Sequence, residues 1–100
     1  MSIYKIKRSK IHGVGIFTQN PIKKGQMIGV IVEYIHFVPT ITKFGSYINH
    51  SYDPNSALYY NKKNNTWILI AIKNINKDEE ITANYNHSPD FIDKAEPYYK

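Results

Sequence analysis

The apolar residues of this 100-residue chain come in short runs, rich in Ile, Val and Tyr and broken by Gly, Pro or Asn, with none of the spacing of an amphipathic helix. That punctuation restricts the chain to a mostly β fold of short strands. Strands are expected at Tyr4 to Lys7, Gly15 to Thr18, Met27 to His36, Ala57 to Tyr60, Trp67 to Ala71 and Ile81 to Ala83. Turn signals fall between them at Asn20-Pro21, Lys24-Gly25, Asp53-Pro54-Asn55 and the polar stretch Asn61 to Asn65. The segment from Ser88 to Lys94, with Pro89 at a first helical position, is the only expected helical turn.

One internal similarity fits a β fold with two related halves. Residues 20–28, Asn-Pro-Ile-Lys-Lys-Gly-Gln-Met-Ile, resemble residues 73–81, Lys-Asn-Ile-Asn-Lys-Asp-Glu-Glu-Ile. Each reads as a tight turn feeding a strand, with Ile22 and Ile75 as buried pins. Chance similarity in a low-diversity sequence is the alternative.

Composition narrows the function classes. Cysteine is absent, which excludes disulfides, thiolate zinc sites and cysteine nucleophiles. No run approaches the roughly 20 apolar residues of a membrane span, and the first residues lack a signal-peptide core. A soluble, intracellular, single domain over residues 1–100 is therefore expected. The net charge of +5 favours acidic partners, yet the lysines are scattered and Arg8 is the only arginine. Direct nucleic-acid readout is not expected, because that chemistry relies on clustered cations and arginine forks.

Three segments carry residues suited to chemistry. In Ser9-Lys10-Ile11-His12-Gly13-Val14-Gly15, two glycines flank one residue just before a strand, so main-chain groups can approach a ligand closely. A plain turn is the simpler alternative for this loop alone. Asn49-His50-Ser51 followed by Pro54-Asn55 packs hydrogen-bonding side chains against a rigid turn, and an amide can both donate and accept. His12, His36, His50 and His87 show no ligand spacing, so no metal is expected. Glu79-Glu80-Ile81-Thr82-Ala83-Asn84-Tyr85 ends a strand on a tyrosine, and its carboxylates read equally well as a surface turn.

In this order and spacing the Gly-x-Gly loop, the Asn-His-Ser-x-x-Pro-Asn block and the Glu-Glu-Ile-Thr-x-x-Tyr block resemble the SET-domain protein-lysine methyltransferases, the small stand-alone viral or bacterial type most of all. The resemblance covers residues 4–86 and leaves 87–100 as an aromatic closing segment. It implies a β-clip fold of small curled sheets with a C-terminal pseudoknot, and S-adenosylmethionine as cofactor. By position, His12, Gly13, Gly15, Asn49, His50, Tyr85 and Phe91 would contact that cofactor, with Tyr85 at the methyl-transfer centre. Tyr47, Leu58, Tyr59 and Tyr60 would line the lysine channel.

The implied substrate is a histone tail or similar basic protein, which would place the protein in a nucleus, its own or a host's. Relatives carry cysteine-rich flanks and a longer insert between the positions of Gly29 and Asn49. Here Pro89 to Tyr99 must close the site, and a homodimer in which a second copy supplies a groove wall is left open. The alternative function is a non-catalytic β-clip binding module that keeps the fold, with or without its cofactor.

Overall fold

The computed structural model describes residues 4–84. Three small sheets make up the domain. β1 (Tyr4–Arg8) and β2 (Val14–Thr18) form an antiparallel pair in which Tyr4 faces Thr18 and Arg8 faces Val14. The main sheet is antiparallel, in the order β4 (Val38–Ile41), β3 (Met27–Ile35), β7 (Thr66–Ala71) and β6 (Ser56–Asn61). β5 (Asn49–His50) and β8 (Thr82–Ala83) make a two-residue parallel pair. The architecture is the mostly β arrangement of small sheets that the sequence implied.

The core is built largely from isoleucines at matched positions, with Val32, Leu69 and Ile81 fully enclosed. Each such side chain stabilises the fold by about 1.5–3 kcal/mol relative to exposure. β-branched residues suit both jobs here, because they favour extended backbone and fill a thin core.

The suspected repeat is a true pseudo-twofold axis. Ile22 and Ile75, both buried, face each other and exchange reciprocal N–H···O=C bonds of 2.9 and 2.8 Å. Around them the hydrogen bonds repeat in pairs. Gly25 N–H donates to Ala71 O at 2.8 Å, as Asp78 N–H does to Thr18 O. Ala71 N–H donates to Gln26 O at 3.0 Å, and Thr18 N–H to Glu79 O at 3.1 Å. Even the side-chain bonds match, since Gln26 Oε1 accepts from Lys23 N–H and Glu79 Oε1 from Asn76 N–H. Gly25 (φ 89°) and Asp78 (φ 68°) occupy the same left-handed corner, which glycine adopts freely and aspartate tolerates.

Besides the short strand β5, which the sequence did not predict, two elements differ from the sequence expectation. The β3 run does not continue through His36; it turns at His36 and Phe37, both with positive φ, and returns as β4. A helical turn, α1 (Lys43–Ser46), precedes the Asn49 block where the sequence predicted no helix, so Ser88 to Lys94 is not the sole candidate; that segment lies outside the described residues. Thr42 caps α1 by accepting from Gly45 N–H at 2.9 Å, and its hydroxyl donates to Val30 O at 2.6 Å. The cap thus ties the turn to β3. Gly45 allows the contact, because a Cβ there would lie 2.7 Å from Ile31 O.

Candidate functional site

The pseudo-symmetric turn at residues 76–79 delivers Glu80 against β2, where Phe17 and Glu80 pair as an isolated antiparallel bridge. There the Glu80 carboxylate meets the glycine loop. Ser9 Oγ–H donates to its two oxygens at 2.7 and 3.0 Å, and Asn49 Nδ2–H to Oε2 at 2.8 Å. Ser9 Oγ in turn accepts from Ile11 N–H at 2.9 Å. Asn49 Nδ2 also reaches the carbonyls of His12 (3.1 Å) and Val14 (3.0 Å), so its two hydrogens serve three oxygens. Residues more than thirty positions apart therefore close one polar network around the Ser9 to Gly15 loop.

Gly15 is required by this network. A Cβ at that position would lie 2.2 Å from Glu80 Oε2 and 3.1 Å from Asn49 Nδ2. Any larger residue would push the carboxylate off its partners. At Gly13 the demand is conformational instead, since φ is 49° and the space beside it is open.

The second motif block is braced by its own side chains. β5 and β8 share only two paired residues, too few for a backbone ladder to hold them. Asn55 supplies a substitute strand edge: its Nδ2–H donates to Glu80 O at 2.8 Å and its Oδ1 accepts Thr82 N–H at 2.9 Å. Ser56 Oγ–H donates to Thr82 O, and Ser51 N–H donates to Ala83 O at 2.9 Å. This places residues 80–83 beside Asn49 and His50. His50 is buried and meets the Tyr52 ring edge-on at a centroid distance of 4.2 Å. Burial pulls its imidazole pKa below the ordinary value.

Of the residues singled out from sequence, His12, Gly13, Gly15, Asn49 and His50 lie in or beside this network. Tyr47 and Leu58 are half-buried and pack against the core. Strand alternation along β6 sets Leu58 and Tyr60 on one face and Tyr59 on the other, so the two tyrosines do not share a wall. Tyr60 packs against Trp67 at 5.5 Å. Tyr85 and Phe91 lie outside the described residues.

Sequence reasoning missed Glu80, Ser9 and Asn55 as site-building residues. A signal for the first was present: Gly15 begins a strand run without a turn to explain it, which marks close approach of another group. Among the described residues no group of three or more His, Asp or Glu could hold a metal ion, and no helix is long and apolar enough to cross a membrane.

The profile of the SET domain matches residues 37–86, half of the chain, and spans both the Asn49 block and the Glu80 block. The chain belongs to the SET-domain family. Among solved structures, a Plasmodium falciparum protein assigned as a histone methyltransferase superposes with a TM-score of 0.71 at 26% identity, covering 88% of this chain and 96% of that one. A second, from a study of the product specificity of histone lysine methyltransferases, gives a TM-score of 0.64 at 23% identity and supports the SET fold. It covers 84% of this chain and 50% of its own. No curated protein sequence gives a significant match.

Proposed function

We propose that this protein transfers a methyl group from S-adenosylmethionine to a lysine side chain of a protein, a histone tail or a similar basic protein. The observation that carries this reading is the SET-domain match across both motif blocks, joined to a network that fixes the glycine loop against Asn49. The donor set fits the cofactor. The His12 and Val14 carbonyls and the Glu80 carboxylate already accept from Asn49 and Ser9, and the lone pairs left to them are acceptors of the kind that a ligand bearing an ammonium and a sulfonium group calls for.

When bound, the cofactor supplies an electrophilic methyl group. The chain's own residues have three tasks. Asn49, Ser9 and Glu80 hold the loop from His12 to Gly15 in one shape, so that its main-chain groups are pre-placed. Buried His50 anchors the parallel pair beside it. By the family resemblance, Tyr85 would orient the substrate amine and Phe91 would cover the flat ring of the nucleoside; both lie outside the described residues.

The amine itself needs help. A free lysine, with a pKa of about 10.4, is almost wholly protonated at neutral pH. An apolar channel of Tyr47, Leu58 and Tyr60 would favour the neutral amine by desolvation, and a cation close by adds like-charge repulsion. Aromatic faces then accommodate the methylated ammonium product.

Incubation with labelled S-adenosylmethionine and histone-tail peptides tests this reading. Wild type should transfer label, and Tyr85→Phe and Asn49→Ala should each lower the rate by roughly a hundredfold. Retained transfer in both variants would overturn the residue roles. Cofactor binding without transfer to any lysine substrate would instead identify a binding module.

A further inference from the structure

Glu80 contributes more than hydrogen bonds, because it carries charge. Its carboxylate is half-buried and satisfied by the neutral groups Ser9 Oγ–H and Asn49 Nδ2–H. The ion pairs among the described residues are Lys5 with Asp78 and Lys73 with Asp53, neither of which involves Glu80. The negative charge is therefore held in place, and among the described residues no cation forms an ion pair with it. It sits behind the loop, one side chain removed from the carbonyls of His12 and Val14, whose oxygens share its Asn49 partner.

The scaffold does not need that charge. The pseudo-symmetric counterpart of Glu80 is Met27, which pairs with Ile70 as Glu80 pairs with Phe17. The same backbone position accepts a neutral thioether. Gly15 likewise stands where the other half has Ile68, and it is the residue that gives the carboxylate room.

Resting on the cofactor reading above, we propose that Glu80 is the specificity-determining residue that makes this pocket prefer a cationic ligand. It favours S-adenosylmethionine, whose sulfur is positively charged, over the neutral thioether product S-adenosylhomocysteine. The preference helps the product leave once the methyl group, and with it the positive charge on sulfur, has gone. Two unit charges about 8 Å apart at an effective dielectric of about 20–40 correspond to roughly a five- to thirtyfold change in affinity.

Calorimetry on the full chain with both ligands tests the assignment. Glu80→Gln keeps the shape and removes the charge, so S-adenosylmethionine should bind roughly five- to thirtyfold more weakly while S-adenosylhomocysteine changes by less than about twofold. Equal losses for the two ligands, or no loss for either, would overturn it. Ser9→Ala keeps the charge, removes the Ser9 Oγ–H donor to the carboxylate and the acceptor of Ile11 N–H, and should weaken both ligands in equal proportion. If Glu80→Gln does not fold, the wild type decides alone: its preference for the cationic ligand should shrink between about 0.01 and about 1 M salt, and a flat ratio overturns the proposal. A wild type that binds neither ligand sinks the cofactor reading, and this proposal with it.

Discussion

The turn at residues 20–28 and the turn at residues 73–81 have the same hydrogen bonds and the same buried isoleucines, but they lead to different chemistry. In the first, Met27 ends half-exposed on the main sheet. In the second, Glu80 enters a network that joins the glycine loop to Asn49. The comparison separates scaffold from site. Backbone pairing and the Ile22 and Ile75 pins build the scaffold twice, and single side-chain differences at matched positions build the site once.

Breaking the shared part should hurt both halves equally and most. Ile22→Ala and Ile75→Ala should each cost about 2–5 kcal/mol, read by denaturant unfolding, because each leaves a cavity at the pseudo-axis. A cost for one several times that for the other would mean that the two turns are alike in shape only.

The unshared part should respond asymmetrically. Glu80→Met strands the donors of Ser9 and Asn49 and should cost about 1–3 kcal/mol together with cofactor binding. Met27→Glu, at a half-exposed site, should change stability by no more than about 0.5 kcal/mol. A reversed order in thermal melts would contradict the division of labour.

The two left-handed corners sharpen the comparison further. Gly25→Ala meets open space, so its cost is backbone strain alone, about 1–2 kcal/mol. Asp78→Gly should change stability by no more than about 0.5 kcal/mol, since relief at the corner is offset by unfolded-state entropy and by loss of the exposed Lys5 pair.

The smallest effect concerns the parallel pair, which only the second half possesses. His50 is held neutral by burial, so the unfolded chain takes up a proton at a higher pH than the folded one does. Stability should be full above about pH 6.5, fall as pH drops below it, and level off once the folded imidazole is itself protonated. Unfolding midpoints of wild type and His50→Gln should converge on acidification. A gap that stays constant would show that the histidine contributes by packing alone.

The strands whose residues alternate or pair in aromatic runs were legible, as were the buried pins. β4 was not, because Pro39 within Val38–Ile41 argues against a strand; at the sheet edge the missing N–H costs no ladder bond on the open side. The hairpin at His36 and Phe37 was hidden too. Turns with two positive φ values usually carry Asn or Gly, and here Phe37 is 99% exposed with a φ of 68°. α1 escaped notice because Gly45 weakens helix propensity, while the Thr42 cap gains its value from bonding to β3.

The sequence alone determined the β class and the family, since strand punctuation and ordered motifs are local properties that survive without contacts, and it suggested the repeat that the paired hydrogen bonds around Ile22 and Ile75 then established. It also identified the glycine loop and the Asn49 block as members of one site. Only the tertiary structure decided that Glu80 is a site residue and not a surface turn, that Gly15 exists to admit it, and that Asn55 acts as a strand edge. Each of those roles depends on a partner between 25 and 71 positions away. Distance along the chain says nothing about such pairs until the sheets bring them within hydrogen-bond reach.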